Sequence, residues 1–172
     1  MKFVSIVIGS KSDYDVMSEC ANTLEKFDVK YELIISSAHR SVERTKSYVK
    51  SAEQRGAQLF IAAAGMAAHL AGAIAAITTK PVIGVPMAVS ALNGMDALLS
   101  TVQMPSGMPV ATVAIGKTGA VNSAYLAIQI LSVSDKELAV KLSEDRLKKA
   151  KQIENDSKQI EVLVSCDKEG IQ

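Results

Sequence analysis

Residues 59–86, LFIAAAGMAAHLAGAIAAITTKPVIGVP, carry a single charged side chain, Lys80. The apolar run Leu59–Ala63 stops near Gly65, an alanine-rich stretch follows to about Ile77, and Pro81 introduces a second apolar run, Val82–Val85, closed by Pro86. Short runs that are apolar at every position read as strands buried on both faces, and the intervening alanines read as helix. Strand, helix and strand in this order form a crossover unit, whose strands must be parallel.

The same alternation extends outward. Upstream, Phe3–Ile8 is a β-rich run ending at Gly9-Ser10, and Asp13 stands where a helix N-cap would. Val16, Met17, Cys20, Leu24 and Phe27 then recur at helical spacing. Tyr31–Ile35 reads as a second strand and Ser41–Arg55 as a helix with Val42, Thr45, Val49 and Ala52 on one side. Downstream, Asn93–Val102 reads as a helix capped by Asn93, Val110–Ile115 as a fifth strand, and Gly119–Leu131 as a helix. Five strands alternating with helices predict a three-layer α/β/α sandwich around a parallel sheet of flavodoxin-like order 2-1-3-4-5. Residues 1–133 make one domain. Ser134–Lys158 is a charged helix with a narrow stripe, Leu138, Leu142 and Leu147. With no strand after it, segment 134–160 is expected to pack on a neighbouring subunit, leaving 161–172 as a tail.

Charge is distributed unevenly. Residues 1–55 and 134–172 carry 17 charged side chains each, whereas Gly56–Ile130 carries three: Lys80, Asp96 and Lys117. One small domain cannot hide so long an uncharged segment, so other copies of the chain are expected to cover part of it. The formal net charge of +1 argues against a nucleic-acid binder. Gly56–Thr79 is long enough to raise the question of a membrane span, but alanine, Gly65, His69 and Gly72 argue against one. The N-terminus enters a strand without a signal-peptide core, so the expected location is the cytoplasm. Cys20 and Cys166 match no disulfide framework or zinc spacing.

In an open α/β sheet the ligand lies beyond the carboxyl ends of the strands. There the sequence places Gly9-Ser10-Lys11-Ser12-Asp13, Ser36-Ser37-Ala38-His39-Arg40 and Ala64-Gly65-Met66-Ala67-Ala68-His69, with both histidines of the chain on one edge. The first segment suits either ordinary capping or a phosphate on a helix N-terminus. It matches neither GxxxxGK[ST] nor GxGxxG. In the second, a guanidinium, a hydroxyl and an imidazole lie within four residues, a set for phosphate recognition beside a proton carrier, or simply a solvated loop. His69 suits either a ligand contact or a structural hydrogen bond to the backbone. Asn93, Gly94 and Asp96 read as structural, and the methionines of 87–108 as packing.

Gly9-Ser-Lys-Ser-Asp13, Ser37-Ala-His-Arg40, Ala67-Ala-His-Leu70, Pro81–Pro86, Ala91–Asp96, Gln103–Pro105 and Pro109–Gly116 together resemble the PurE family of N5-carboxyaminoimidazole ribonucleotide mutases. The likeness runs in order from about Val4 to Leu131. It implies a homo-octamer that moves a carboxylate from the exocyclic N5 of N5-carboxyaminoimidazole ribonucleotide to ring carbon C4. It places the catalytic histidine at His39 and substrate contacts at Gly9, Ser10, Ser12, Asp13, Ser37, Arg40, Ala64, Gly65, His69 and Leu70. It implies no metal, biotin or nucleotide cofactor, and it admits transient contact with the synthetase that makes the substrate. The chain departs from the family at Ala63 and Met66, where glycine is usual, at Ala71 in place of proline, and at Ser41-Val42 in place of Thr-Pro. A left-handed Met66 would cost about 1–2 kcal/mol. Two other readings are a carboxylase that adds free CO2 to aminoimidazole ribonucleotide and a nucleotide-binding relative without activity. Relatives of the first kind usually have Lys where Arg40 stands and lack Ala-Ala-His-Leu.

Overall fold

The computed structural model describes residues 2–163. Strands β1 (Phe3–Ile8), β2 (Tyr31–Ile35), β3 (Ala57–Gly65), β4 (Val82–Met87) and β5 (Ala111–Thr112) form one parallel sheet in the order β2-β1-β3-β4-β5. This is the order expected from the alternation of elements. Helices α1 (Tyr14–Lys26), α2 (Val42–Arg55), α3 (Leu70–Ala75), α4 (Met95–Val102) and α5 (Gly116–Ser132) connect or follow the strands, and α6 (Lys136–Ile160) ends the fold.

Successive strand residues point to opposite faces, which divides the core in two. Val4, Ile6 and Ile8 of β1 face Met17, Cys20 and Leu24 of α1 and Ala120, Ala124 and Ile128 of α5. Phe3 and Val7 face Val49 and Ala52 of α2 and Leu70 and Ile74 of α3. Each fully buried Leu, Ile or Phe here contributes about 1.5–3 kcal/mol by leaving water. Ser5 shares the second face; its hydroxyl is hydrogen-bonded to the Tyr48 hydroxyl at 2.9 Å, so the buried polar group is satisfied.

Several boundaries depart from the sequence reading. The chain after β3 does not enter a helix at once, because Met66 is left-handed (φ 56°) and the Ala68 amide turns back to the Met66 carbonyl at 2.8 Å. Helix α3 therefore starts at Leu70, and His69 stands before it rather than within it. Asn93 (φ 50°) and Gly94 (φ 85°) are left-handed too, so α4 begins at Met95 and Asn93 gives it no side-chain cap. Pro86 does not close β4 but pairs in register with Ala64 of β3. Its missing N–H is tolerated because β5 pairs only with Ile83 and Gly84, leaving β4 an open edge at Pro86.

Helix α6 is held by its own chain over its first half. Leu138 and Leu142 enter the α1–α5 core, Lys141 pairs with Asp28 at 2.6 Å, and the buried Asp145 pairs with Lys26 and accepts from the Tyr125 hydroxyl at 2.8 Å. Farther along, Lys149 reaches the Tyr125 hydroxyl at 2.6 Å, while Leu147, Ile153 and Ile160 are exposed on the single chain. From residue 164 on, the expected tail lies outside the described residues. In the uncharged middle segment, Val89, Leu92, Met95, Leu99 and Val102 also stand exposed on the single chain. No helix among the described residues is long and apolar enough to cross a membrane.

Candidate active site

In this strand order the connections from β1 and β3 leave toward opposite faces, which opens a crevice beyond their carboxyl ends. A cavity of about 660 Å³ lies there. Gly9, Ser10, Ser12 and Asp13 line it from β1, and Ser37, Ala38, His39 and Arg40 from β2. Ala64, Gly65, Met66, Ala67, His69 and Leu70 line it from β3, and Val89 from β4. All eleven residues singled out from the sequence meet around this one space.

The loop after β1 is organised by Ser10. Its hydroxyl accepts from the Ser12 amide at 3.4 Å and the Ser12 hydroxyl at 3.0 Å, while its own amide donates to Asp13 Oδ2 at 3.1 Å. These reciprocal bonds cap the short 3₁₀ turn Lys11–Asp13. Asp13 thus faces back to Ser10 instead of capping α1, as its position in sequence had led us to expect. Its carboxyl is buried with no cation beside it. Burial raises its pKa above the ordinary aspartate value, against the opposing Ser10 amide and Ser12 hydroxyl.

The loop after β2 is tied down from below. The Ser36 and Thr45 hydroxyls meet at 2.8 Å in the interior. Ser41 does not cap α2, since its hydroxyl accepts from the Ser37 amide and donates to the Ser37 carbonyl, both at 3.0 Å. The Arg40 amide donates to the Ser37 hydroxyl at 3.2 Å, and an Arg40 terminal nitrogen donates to the Gly9 carbonyl at 3.4 Å. That last bond joins the β1 and β2 loops. His39 and His69 arrive from different strands, yet their ring centroids lie 5.2 Å apart with planes tilted by 43°.

The β3 wall is built from small residues for a steric reason. A Cβ on Gly65 would sit 2.0 Å from Val89 Cγ2 and 3.3 Å from the Met87 carbonyl, so glycine lets the chain after β4 lie against this wall without displacing Val89. Met66, in the left-handed conformation that carries the strain foreseen for it, puts an exposed thioether at the rim. Ala38, Met66 and Ala67 line the cavity as members of the strand-end segments read from the sequence, whereas Val89 was not foreseen there. It has no local signature and reaches the site only because β4 pairs beside β3. Among the described residues no group of three His, Cys, Asp or Glu side chains is placed to share a metal ion. Cys20 is buried, and burial raises its thiol pKa to about 11 against the Ser123 hydroxyl bond, so it is an inert core residue.

A doubly wound sheet with hydroxyls, a guanidinium and two imidazoles at its switch point has the groups needed to hold a small anionic ligand and to exchange a proton. The family model described as AIR carboxylase matches residues 3–152, and the chain belongs to that family. It is 51% identical over 160 residues to the N5-carboxyaminoimidazole ribonucleotide mutase of Pyrococcus horikoshii, covering 93% of this chain and 89% of that one. It is 53% identical over 143 residues to the mutase of the same name from Bacillus subtilis, covering 83% and 88% respectively. The crystal structure of Treponema denticola PurE superposes with a TM-score of 0.85 at 30% identity, covering 94% of this chain and 100% of that one.

Proposed function

We propose that this chain is an N5-carboxyaminoimidazole ribonucleotide mutase, an isomerase of purine biosynthesis that moves a carboxylate from the exocyclic N5 to ring carbon C4. The observation that carries the reading is the meeting of His39 and His69, 5.2 Å apart, with the Ser10, Ser37 and Arg40 wall around one cavity. The names of relatives about half identical to this chain favour the mutase over direct carboxylation. Arg40 and the Ala67-Ala-His-Leu70 block, both present, favour it too.

His39 does the proton work. It delivers a proton to N5, the N5–carboxylate bond breaks, and CO2 is released beside the electron-rich ring. C4 then attacks CO2, the C4–C bond forms, and the C4 proton returns to His39, so protons balance over the cycle. One imidazole can serve both steps because it ordinarily titrates near neutrality. His69 orients the ring or the carboxylate. Ser10, Ser12, Ser37 and Arg40 hold the phosphate and ribose, and the buried Asp13 accepts from a ribose hydroxyl. The small β3 wall of Ala64 and Gly65, with Leu70, confines CO2, whose escape would end the reaction.

The assembly is a cytoplasmic homo-octamer, with transient contact to the upstream synthetase. Support for the octamer comes from Val89 at the site, from the exposed Leu92, Leu99 and Val102 of the same uncharged segment, and from the bare outer half of α6, which packs on a neighbour. Sedimentation of a stable monomer at micromolar concentration would contradict it. The activity is tested by giving the purified protein N5-carboxyaminoimidazole ribonucleotide without ATP. Product carboxylated at C4 supports the mutase. Turnover only with added bicarbonate means a carboxylase, and tight binding without turnover means a relative that has lost its chemistry.

A further inference from the structure

A second cavity, of about 480 Å³, adjoins the first and shares Gly9, Ser10, Ser37 and Arg40 with it. Its remaining wall brings in Lys11 and Arg44. We propose that Lys11 and Arg44 complete, with Arg40, a cationic seat for the phosphate end of the ligand. The histidine cavity takes the base, and the shared wall takes the link between them. The assignment of a phosphate-bearing ligand rests on the nucleotide reading above; the participation of Lys11 and Arg44 rests on the structure.

Composition sets this cavity apart. No carboxylate lines it. The cavities of about 450 and 240 Å³ away from the histidine site, by contrast, mix lysines with Asp28 and with Asp135 and Glu137 or Glu144 and Asp145. Arg44 uses only Nε, donating to the Ile35 carbonyl at the end of β2 at 3.3 Å. Among the described residues its two terminal nitrogens have no hydrogen-bond partner, and Lys11 has no ion pair. Of the neighbouring acids, Glu43 pairs with Lys46 at 3.0 Å and Asp13 accepts from Ser10 and Ser12, while Asp15, in the first turn of α1, does not line the cavity. Three cations around one concavity repel one another, and among the described residues no ion pair offsets the repulsion. An anion would. A phosphate monoester carries nearly two negative charges at neutral pH, and a guanidinium anchored through Nε presents its remaining donors as a fork suited to phosphate oxygens. Both added cations are exposed, so their effect is moderate and falls with salt, and it includes drawing the ligand in.

Calorimetric titration with ribose 5-phosphate, which has the phosphate but no base, tests the seat without relying on turnover. Lys11→Gln and Arg44→Gln should each weaken binding about 3–10-fold at low salt, and the double variant should show a flatter salt dependence. Among the described residues the Lys11 side chain has no hydrogen bond or ion pair, only its backbone carbonyl accepting from the Tyr14 amide, so its variant should melt with wild type. Arg44→Lys keeps the charge but loses the fork and the Ile35 bond, so its affinity should fall between wild type and Arg44→Gln, which separates charge from geometry. In turnover assays KM should rise with kcat unchanged. The seat is overturned if wild-type protein does not bind ribose 5-phosphate at low salt, or if the double variant matches wild type in affinity and salt dependence. Loss of binding in the variants of a protein that does not turn over the mutase substrate would sink the mutase reading and keep the seat. Turnover with KM unaffected by the variants would do the reverse.

Discussion

Asp13 and Asp145 stand near opposite ends of α1, both buried, and the protein treats them in opposite ways. Burial alone would raise the pKa of Asp145, but the bonds it accepts from Lys26, Tyr125 and Lys149 outweigh that and hold it at about 2. Asp13 has one amide and one hydroxyl and no cation, and burial wins. Elsewhere away from the site the pattern repeats: Arg55 pairs with Glu32 and Lys141 with Asp28. At the carboxyl ends of the strands, Lys11, Arg40 and Arg44 have no acidic partner among the described residues. Charge that holds the fold together is compensated within the fold. Charge left uncompensated in a crevice marks where a ligand completes the structure.

If that contrast is right, changes at the site should alter kinetics and spare stability, and changes around Asp145 should do the opposite. The largest effect is expected from His39→Asn, which keeps a hydrogen-bonding side chain but removes the proton carrier. Turnover should fall by about 10²–10⁴ or more, because the same group acts twice, while nucleotide binding and the melting temperature stay close to wild type. A folded His39→Asn protein with most of its kcat would move the proton transfer to another group, with His69 next in line.

Next in size is Arg40→Ala. Losing a charge-assisted contact worth about 1.5–3 kcal/mol should raise KM roughly 10–100-fold with little change in the melting temperature. An unchanged KM would put the phosphate elsewhere.

Asp145→Asn tests the other side of the comparison. Because the folded pKa lies below the ordinary value, the stability Asp145 contributes is fully present above about pH 4 and is lost as pH falls toward 2. Lys26 and Lys149 are mostly exposed, so that contribution is about 1–2 kcal/mol at neutral pH. Chemical denaturation should show wild type and Asp145→Asn separated by this amount at pH 7 and converging near pH 2, with kcat the same. A gap independent of pH would remove the ionic account of the clamp. Asp13 carries the opposite sign: its raised pKa favours the folded state at low pH, and that contribution fades as pH rises through the folded value.

The smallest effect is expected at Met66→Gly. Relief of the left-handed strain is offset by the entropy glycine adds to the unfolded chain, so stability should rise by less than about 1 kcal/mol. Any change in KM would then report the thioether at the rim. A clear loss of stability would mean that Met66 packs usefully where it stands.

The sheet was legible because a strand covered on both faces must be apolar at every position, and β1, β3 and β4 are nearly so. Strand β5 was legible in place but not in length, since its pairing depends on how far the β4 edge is accompanied. The starts of α3 and α4 were missed because left-handed turns at Met66 and Asn93 delay both helices, and Asn suits a helix cap as readily as such a turn. The residues around the main cavity could be gathered from the sequence, since each follows a recognisable strand end. Asp13 was located, yet its reciprocal bond with Ser10 was not readable from a position equally suited to a helix cap. Lys11 was placed in the β1 loop without a role of its own, and Val89 and Arg44 escaped notice because they reach the crevice through strand order or from the flank of a helix.

The order of strands also governs when a ligand can be captured during folding. Strand β1 lies between β2 and β3, and Val89 arrives only with β4. A nascent chain that has made β1 and β2 already carries Ser10, Arg40 and Arg44, but the wall facing them is still unsynthesised. The loops come together only after distant segments have paired, which is the slow part of building a parallel sheet. A nucleotide that recognises the whole crevice therefore favours the completely zipped sheet over every shorter intermediate, and its concentration during synthesis would bias the chain toward finishing.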